Sequence, residues 1–265
     1  MRYVQIFFLY FQEAFAERGR SFVWFLITLL NPLLYFTFWY AATGGGEQTI
    51  FGSSMQSISS YYFLLIVAGS MLQSHAEENI GYWHIYHGRL TNYLLRPISY
   101  YGINFLSEIP WRIIQGFFGI VVFFLMNFFF PHFIVLTSDI WTMILAFCIF
   151  FLAYTLSYAV KVVIGVSAFW LTDYHGLVEI VDMFRLIAGG FVVPLYLFPD
   201  WIFKIVSFTP FPYSMYFPIL AWQGKLSYGE LFQCIGIQLL WIVGFFAIFK
   251  ILWKKGSREY TGVSQ

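Results

Sequence analysis

Charge is what this chain has least of. Only 10% of its 265 residues are Asp, Glu, Lys or Arg, against 60% hydrophobic, too little to clothe the outside of a soluble domain. Cysteine is nearly absent as well: Cys148 and Cys234 both fall inside apolar runs, which excludes a disulfide framework and suits small buried hydrophobes. No G-x-x-x-x-G-K-[ST] loop occurs; Gly224-Lys225 lacks the upstream glycine, so any ATP and Mg must be bound by another chain. No G-x-S-x-G nucleophile elbow is present either. His75, His84, His87, His132 and His175 have no acidic or thiol partner at metal-ligand spacing, and no metal site is expected. The net charge of +1 gives no reason to expect a nucleic-acid partner. No cleavable signal pattern precedes the first apolar run, and there is no internal repeat or low-complexity linker.

What the chain does have is six apolar stretches, near 21–42, 58–74, 101–130, 140–168, 176–195 and 230–252. A bilayer core of about 30 Å takes about 20 apolar residues as helix, and lipid cannot satisfy a non-helical backbone. Runs such as Phe117 to Phe130 lack the period-2 alternation of a transmembrane β-barrel. The expected fold is therefore all-α and polytopic, with six spans in a transmembrane domain over 21–252. The second stretch is the shortest and contains Gly69. Orientation follows from Lys and Arg. Arg2, Arg18, Arg20, Arg89, Arg96, Lys254, Lys255 and Arg258 share one side, whereas the 43–57 and 131–139 loops hold no Lys or Arg. Both termini are expected in the cytoplasm, with a short tail over 253–265.

Three further segments have character of their own. Over residues 1–20, Val4, Phe7, Phe8, Phe11 and Phe15 recur at helical spacing while Gln5, Gln12, Glu13 and Glu17 tend to another arc, the pattern of a helix lying in the cytoplasmic interface on membrane lipid. Residues 75–99 are oversized for a turn. Trp83, Tyr86, Leu90 and Leu94 follow a 3-4-4 spacing before Arg96-Pro97 ends any helix. Such a face fits a partner's groove or lies on lipid, and periodicity does not choose between them. Residues 194–229 are apolar but cut by Pro199, Pro210, Pro212 and Pro218, which suits short helices re-entering the outer leaflet.

Intramembrane charge is the usual pointer to function. Glu179, Asp182 and Arg185 are spaced by three along the fifth stretch and share an arc of about 120°. They can line a substrate path, or neutralise one another and snorkel to the interface. Glu108 and Arg112, at i and i+4, pair on one helix. The Glu77-Glu78 pair lacks the arginine that follows it in intramembrane prenyl-protein endopeptidases; Tyr82 stands there. Catalytic residues are not expected.

The whole chain resembles an ABC-2-type transporter permease, the membrane subunit of an ATP-binding-cassette exporter. Gly88-Arg-Leu-Thr-Asn-Tyr-Leu-Leu-Arg-Pro97 is similar to the G-x-L-x-x-x-L-L-R-P stretch of the branch that works in two-permease exporters. Ala168-Phe-Trp170 and Gly189-Gly-Phe-Val-Val-Pro-Leu-Tyr-Leu-Phe-Pro199 are similar to its A-F-W and G-x-x-x-P-L-x-x-F-P stretches, as are Gln238, Trp241 and the basic tail with Tyr260. The resemblance implies a pore subunit paired with a second permease, identical or homologous, in the cytoplasmic membrane, energised by separate ABC ATPase subunits. It implies that 75–99 is the coupling helix, with Gly88, Leu90, Leu94, Leu95, Arg96 and Pro97 at the ATPase contact. The cargo it implies is an amphipathic small molecule, drug or lipid. Export of polysaccharide or lipid-linked glycan through an aromatic channel stays open, as does a membrane enzyme that uses no ATP.

Overall fold

The computed structural model describes residues 2–44, 54–95, 97–129 and 134–260. Among these the chain is helical and contains no strand. Helix α1 (Arg2–Ala16) is followed at once by α2 (Arg18–Ala42) and then α3 (Met55–Leu72). A π-helical segment (Glu78–Tyr86) and the short α4 (Thr91–Leu94) lead to the long α5 (Tyr100–Phe129) and α6 (Ile140–Val166). After α7 (His175–Ala188) come three short helices, α8 (Asp200–Ser207), α9 (Phe211–Ser214) and α10 (Tyr216–Trp222). The final α11 (Tyr228–Glu259) runs for 32 residues.

Five of these helices, α2, α3, α5, α6 and α11, are long and apolar enough to cross a membrane. Side-chain caps fix where three of them begin: Ser54 accepts from Ser57 N–H, Asp139 from Thr142 N–H, and Ser227 forms a capping box with Glu230. All three caps lie at one end of the bundle, where Tyr228 Oη also donates to Asp139 at 2.6 Å. At the opposite end Tyr100 stacks on Trp253 at 4.1 Å and Trp170 Nε1 donates to Glu259. The short second stretch is the centre of the fold. Seventy-eight per cent of the apolar window of α3 is buried, against 17% for α2 and 11% for α11, so α3 is the post around which α2, α5, α6 and α10 pack.

The fifth stretch departs from the expected helical span over 176–195. Helix α7 has 14 residues, about 21 Å at the standard rise, short of the roughly 30 Å core. It stops because Gly189-Gly190 turns the backbone away, Gly190 taking φ +81°, a region open to glycine and costly for other residues. The chain still passes between the ends of the bundle, from Tyr174 beside Gly81 and Tyr86 to Gly224 beside Thr137, but from Gly189 onward it does so in short pieces. Its freed carbonyls are not orphaned. Tyr61 Oη donates to Gly190 O at 2.8 Å and Tyr62 Oη donates to Val192 O at 2.7 Å, with Trp39 Nε1 donating to Tyr62 Oη at 2.8 Å. Two tyrosines of α3 thus supply the hydrogen bonds that a continuous helix would have made for itself.

Residues 75–99 also differ from a single amphipathic helix. The π-helical turns end at His87, Gly88 takes φ +69°, and α4 starts afresh after Leu90. A 3-4-4 spacing places residues on one face only while α-helical geometry persists, and here it does not.

Replacing Gly190 by Ala should destabilise the protein by at least about 1–2 kcal/mol, the cost of a left-handed non-glycine residue. The new Cβ would also stand 2.6 Å from Tyr61 Oη, disturbing the first of the two tyrosine pins. The expected outcome is a lower melting temperature in detergent, read by tryptophan fluorescence.

Candidate functional site

Where α3 ends, two charged clusters hold the chain together. The first is built on Lys161, which stands late in the 27-residue apolar helix α6 and is only 2% exposed. Its ammonium donates to Glu77 Oε1 at 2.6 Å and lies 2.9 Å from Asp182 Oδ1, while Arg185 Nη2 meets the same oxygen at 3.3 Å. Two carboxylates and two cations balance. Gly165, one turn beyond Lys161, permits the approach: a Cβ there would lie 3.0 Å from Glu77 Cα. Burial of such a set is tolerated because each charge has a partner; removing one member strands the other at about 3–5 kcal/mol.

The second cluster closes the break between α3 and the π-helical segment. Glu108 of α5 accepts from His75 N–H at 2.6 Å and from the Ser74 hydroxyl at 2.7 Å, with Arg112 Nε 3.8 Å away. Arg112 also donates to Gln115 Oε1 at 2.8 Å and to His75 Nδ1 at 3.2 Å. Burial, reinforced by Arg112, holds the His75 imidazole well below its usual range, consistent with its role as a neutral acceptor. Beside it a cavity of about 690 Å³ opens between α1, α2, α5 and the 73–93 stretch, with Trp24, Trp83 and Trp111 among its walls.

The residues expected at the ATPase contact divide. Leu90 is fully buried in the chain's own core with Ile80, Ile85, Tyr100 and Tyr158, and its N–H donates to His84 O at 2.8 Å; it is a foot for α4 and not a docking anchor. Leu94 and Leu95 project outward, Leu95 being 81% exposed. Gly88 makes the turn between the two helical pieces, Pro97 is exposed, and Arg96 lies outside the described residues. Of the three charges expected along the fifth stretch, Asp182 and Arg185 are brought together, whereas Glu179 is exposed and meets no ion-pair partner among the described residues.

Sequence reading missed the centre of the first cluster. Nothing in the spacing of the chain pairs Lys161 with an acid, yet the structure buries it against Glu77, 84 residues away. A lone cation inside an otherwise apolar run was the available clue. Among the described residues no group of His, Cys, Asp and Glu is arranged to hold a metal ion.

Two outcomes follow from this geometry. Glu108→Ala leaves the buried His75 N–H and Ser74 hydroxyl without their acceptor and should cost about 1–3 kcal/mol, read as a lower melting temperature, while Glu108→Gln keeps one acceptor and should cost less. His84, whose Nδ1 meets Tyr100 Oη at 2.7 Å, is moved from about 6.5 to about 4 by burial and then by Arg89. The folded protein therefore binds fewer protons than the unfolded chain between those values. Its contribution to stability is complete above pH 6.5 and should decline as pH falls toward 4, a slope that His84→Phe should flatten in melts across that range.

No curated protein matches this chain. The model of the family described as ABC-2 family transporter protein matches residues 29–264, nearly the whole of the helical bundle. With this match across most of the sequence, and with five long apolar helices among the described residues, the chain belongs to the ABC-2 transporter family, and is a multi-pass membrane permease subunit of an ABC transporter, working with an ABC ATPase.

Proposed function

We propose that this permease forms half of an export path for an amphipathic small molecule, drug or lipid, with a second permease, identical or homologous, supplying the other half. The end carrying Arg18, Arg20, Arg89, Lys254, Lys255 and Arg258 faces the cytoplasm of a cell whose cytoplasmic membrane holds the complex. The ATPase, with its ATP and Mg, docks beneath the 75–99 segment. The observation that carries this reading is the exposed pair Leu94 and Leu95, two large apolar side chains at the end of a four-residue helix on the charged end of the molecule. Leu90 below them anchors that helix to the core, so a load on the pair passes into the bundle. Gly88 sets the turn, and Arg96 and Pro97 complete the contact at its rim.

A path between two chains also agrees with the packing. Tyr61, Tyr62, Tyr154 and Tyr216 fill the interior of the bundle, whereas α7, carrying Glu179, Asp182 and Arg185, shows Ile180, Met183, Phe184 and Ile187 about half-exposed. A second permease or membrane lipid covers such a face, and Glu179, the exposed member of the polar arc, then borders the path, with Asp182 and Arg185 behind it.

Replacing Leu94 and Leu95 together by Asp tests the docking. Loss of such anchors costs about 2–4 kcal/mol and an unpaired charge adds more, so the ATPase should be lost on purification in mild detergent while membrane insertion survives. Equal recovery of the ATPase with both chains refutes the docking. Cysteine labelling of intact cells checks the orientation: a probe confined to the outside should reach Lys225→Cys and not Arg89→Cys.

A further inference from the structure

The Lys161 cluster joins three parts of the molecule that are distant in the chain: the turn at the root of the 75–95 segment, the late turns of α6, and α7. Lys161 divides its ammonium between carboxylates 84 and 21 residues away, and Gly165 brings the Glu77 backbone against the same face of α6. Helix α7 is otherwise lightly covered. It is held at its middle by Asp182 and in its last turn by Arg185, and the turn that follows is held where Tyr61 and Tyr62 grip the carbonyls of Gly190 and Val192. A short rod fixed at two points, one of them the root of the coupling segment, moves when that root moves.

We infer that Lys161 is a positioning residue for the transport cycle, tying the root of the 75–95 segment to α7 so that displacement of that segment by the ATPase reaches the Gly189-Gly190 joint. The inference rests on the ATPase docking at the 75–99 segment. Stability alone gives no reason for the cluster, because replacing a buried ion pair by apolar groups of similar size is often neutral or stabilising. An apolar contact can slide along its neighbour; an ammonium held by two carboxylates from different elements moves with both.

The test uses the permease purified with its ATPase in lipid nanodiscs. Cys148 and Cys234 are replaced by Ala, and spin labels are placed at Ile187→Cys on α7 and Phe232→Cys on α11, both exposed sites. Pulsed electron paramagnetic resonance then reads the distance between them with and without ATP and vanadate. The double variant Glu77→Gln/Lys161→Met removes both members of the shortest pair and leaves Asp182 with Arg185. It should keep the parent's melting temperature, ATPase recovery and ATP hydrolysis, yet lose the ATP-dependent change in distance. Should the double variant fail to fold, Asp182→Asn, which cuts the tie on the α7 side at a partly exposed residue, decides the matter by the same readout and the same expected loss. A distance change equal to the parent's in the folded variant, or none in the parent, overturns the inference and leaves the docking intact. Loss of the ATPase from the folded double variant also overturns it, because the cluster then serves docking itself. Absence of the ATPase from the parent complex instead removes the docking reading on which the inference stands.

Discussion

No water reaches the middle of a bilayer, so every polar group that leaves a helix there must be met by another part of the protein. Much of this fold can be read as the answer to that one demand. Where α7 unwinds, tyrosines of α3 accept the task for Gly190 and Val192. Where α3 itself ends, Glu108 takes up the next N–H and hydroxyl. Where a lysine lies in an apolar helix, two acids arrive from other elements to neutralise it. The helix that contributes most to these arrangements, α3, is accordingly the most buried of the five long apolar helices. It must present tyrosines to one side and its own terminus to another.

This economy joins stability to motion. Hydrogen bonds to a non-helical turn and charges shared among elements are directional, unlike the apolar contacts around them, and they hold one arrangement until several are exchanged together. A bundle built this way shifts between discrete packings and resists gradual deformation. The apolar side chains of α2 and α11, facing outward over most of their length, impose no comparable constraint.

The sequence revealed the elements that depend on local composition and concealed those that depend on distant pairing. Hydropathy alone located the five long helices. Prolines at 199, 210, 212 and 218 foretold a broken stretch. Periodicity misled at Leu90, because counting by 3.6 assumes one helix, and neither the wider π-helical turns before it nor the reversal at Gly88 shows in the spacing. The Lys161 cluster was missed for a different reason. Lys161 alone in an apolar run hints at a partner without naming it, and only the packing of α6 against the turn after α3 brings Glu77 and Asp182 to it.

The length of α11 has a consequence for how the molecule sits. Thirty-two residues make a rod of about 48 Å, some three turns more than a hydrocarbon layer of roughly 30 Å accommodates upright. Its first turn is fastened by the Ser227 capping box and by Tyr228 on Asp139, so the excess emerges at the far end, carrying Lys254, Lys255 and Arg258 to the level of the lipid phosphates, where anionic headgroups attract them. The helix is in effect a depth gauge, registering bilayer thickness at its basic tip. In a thinner membrane the tip stands further clear of the headgroups, and in a thicker one it is drawn among them.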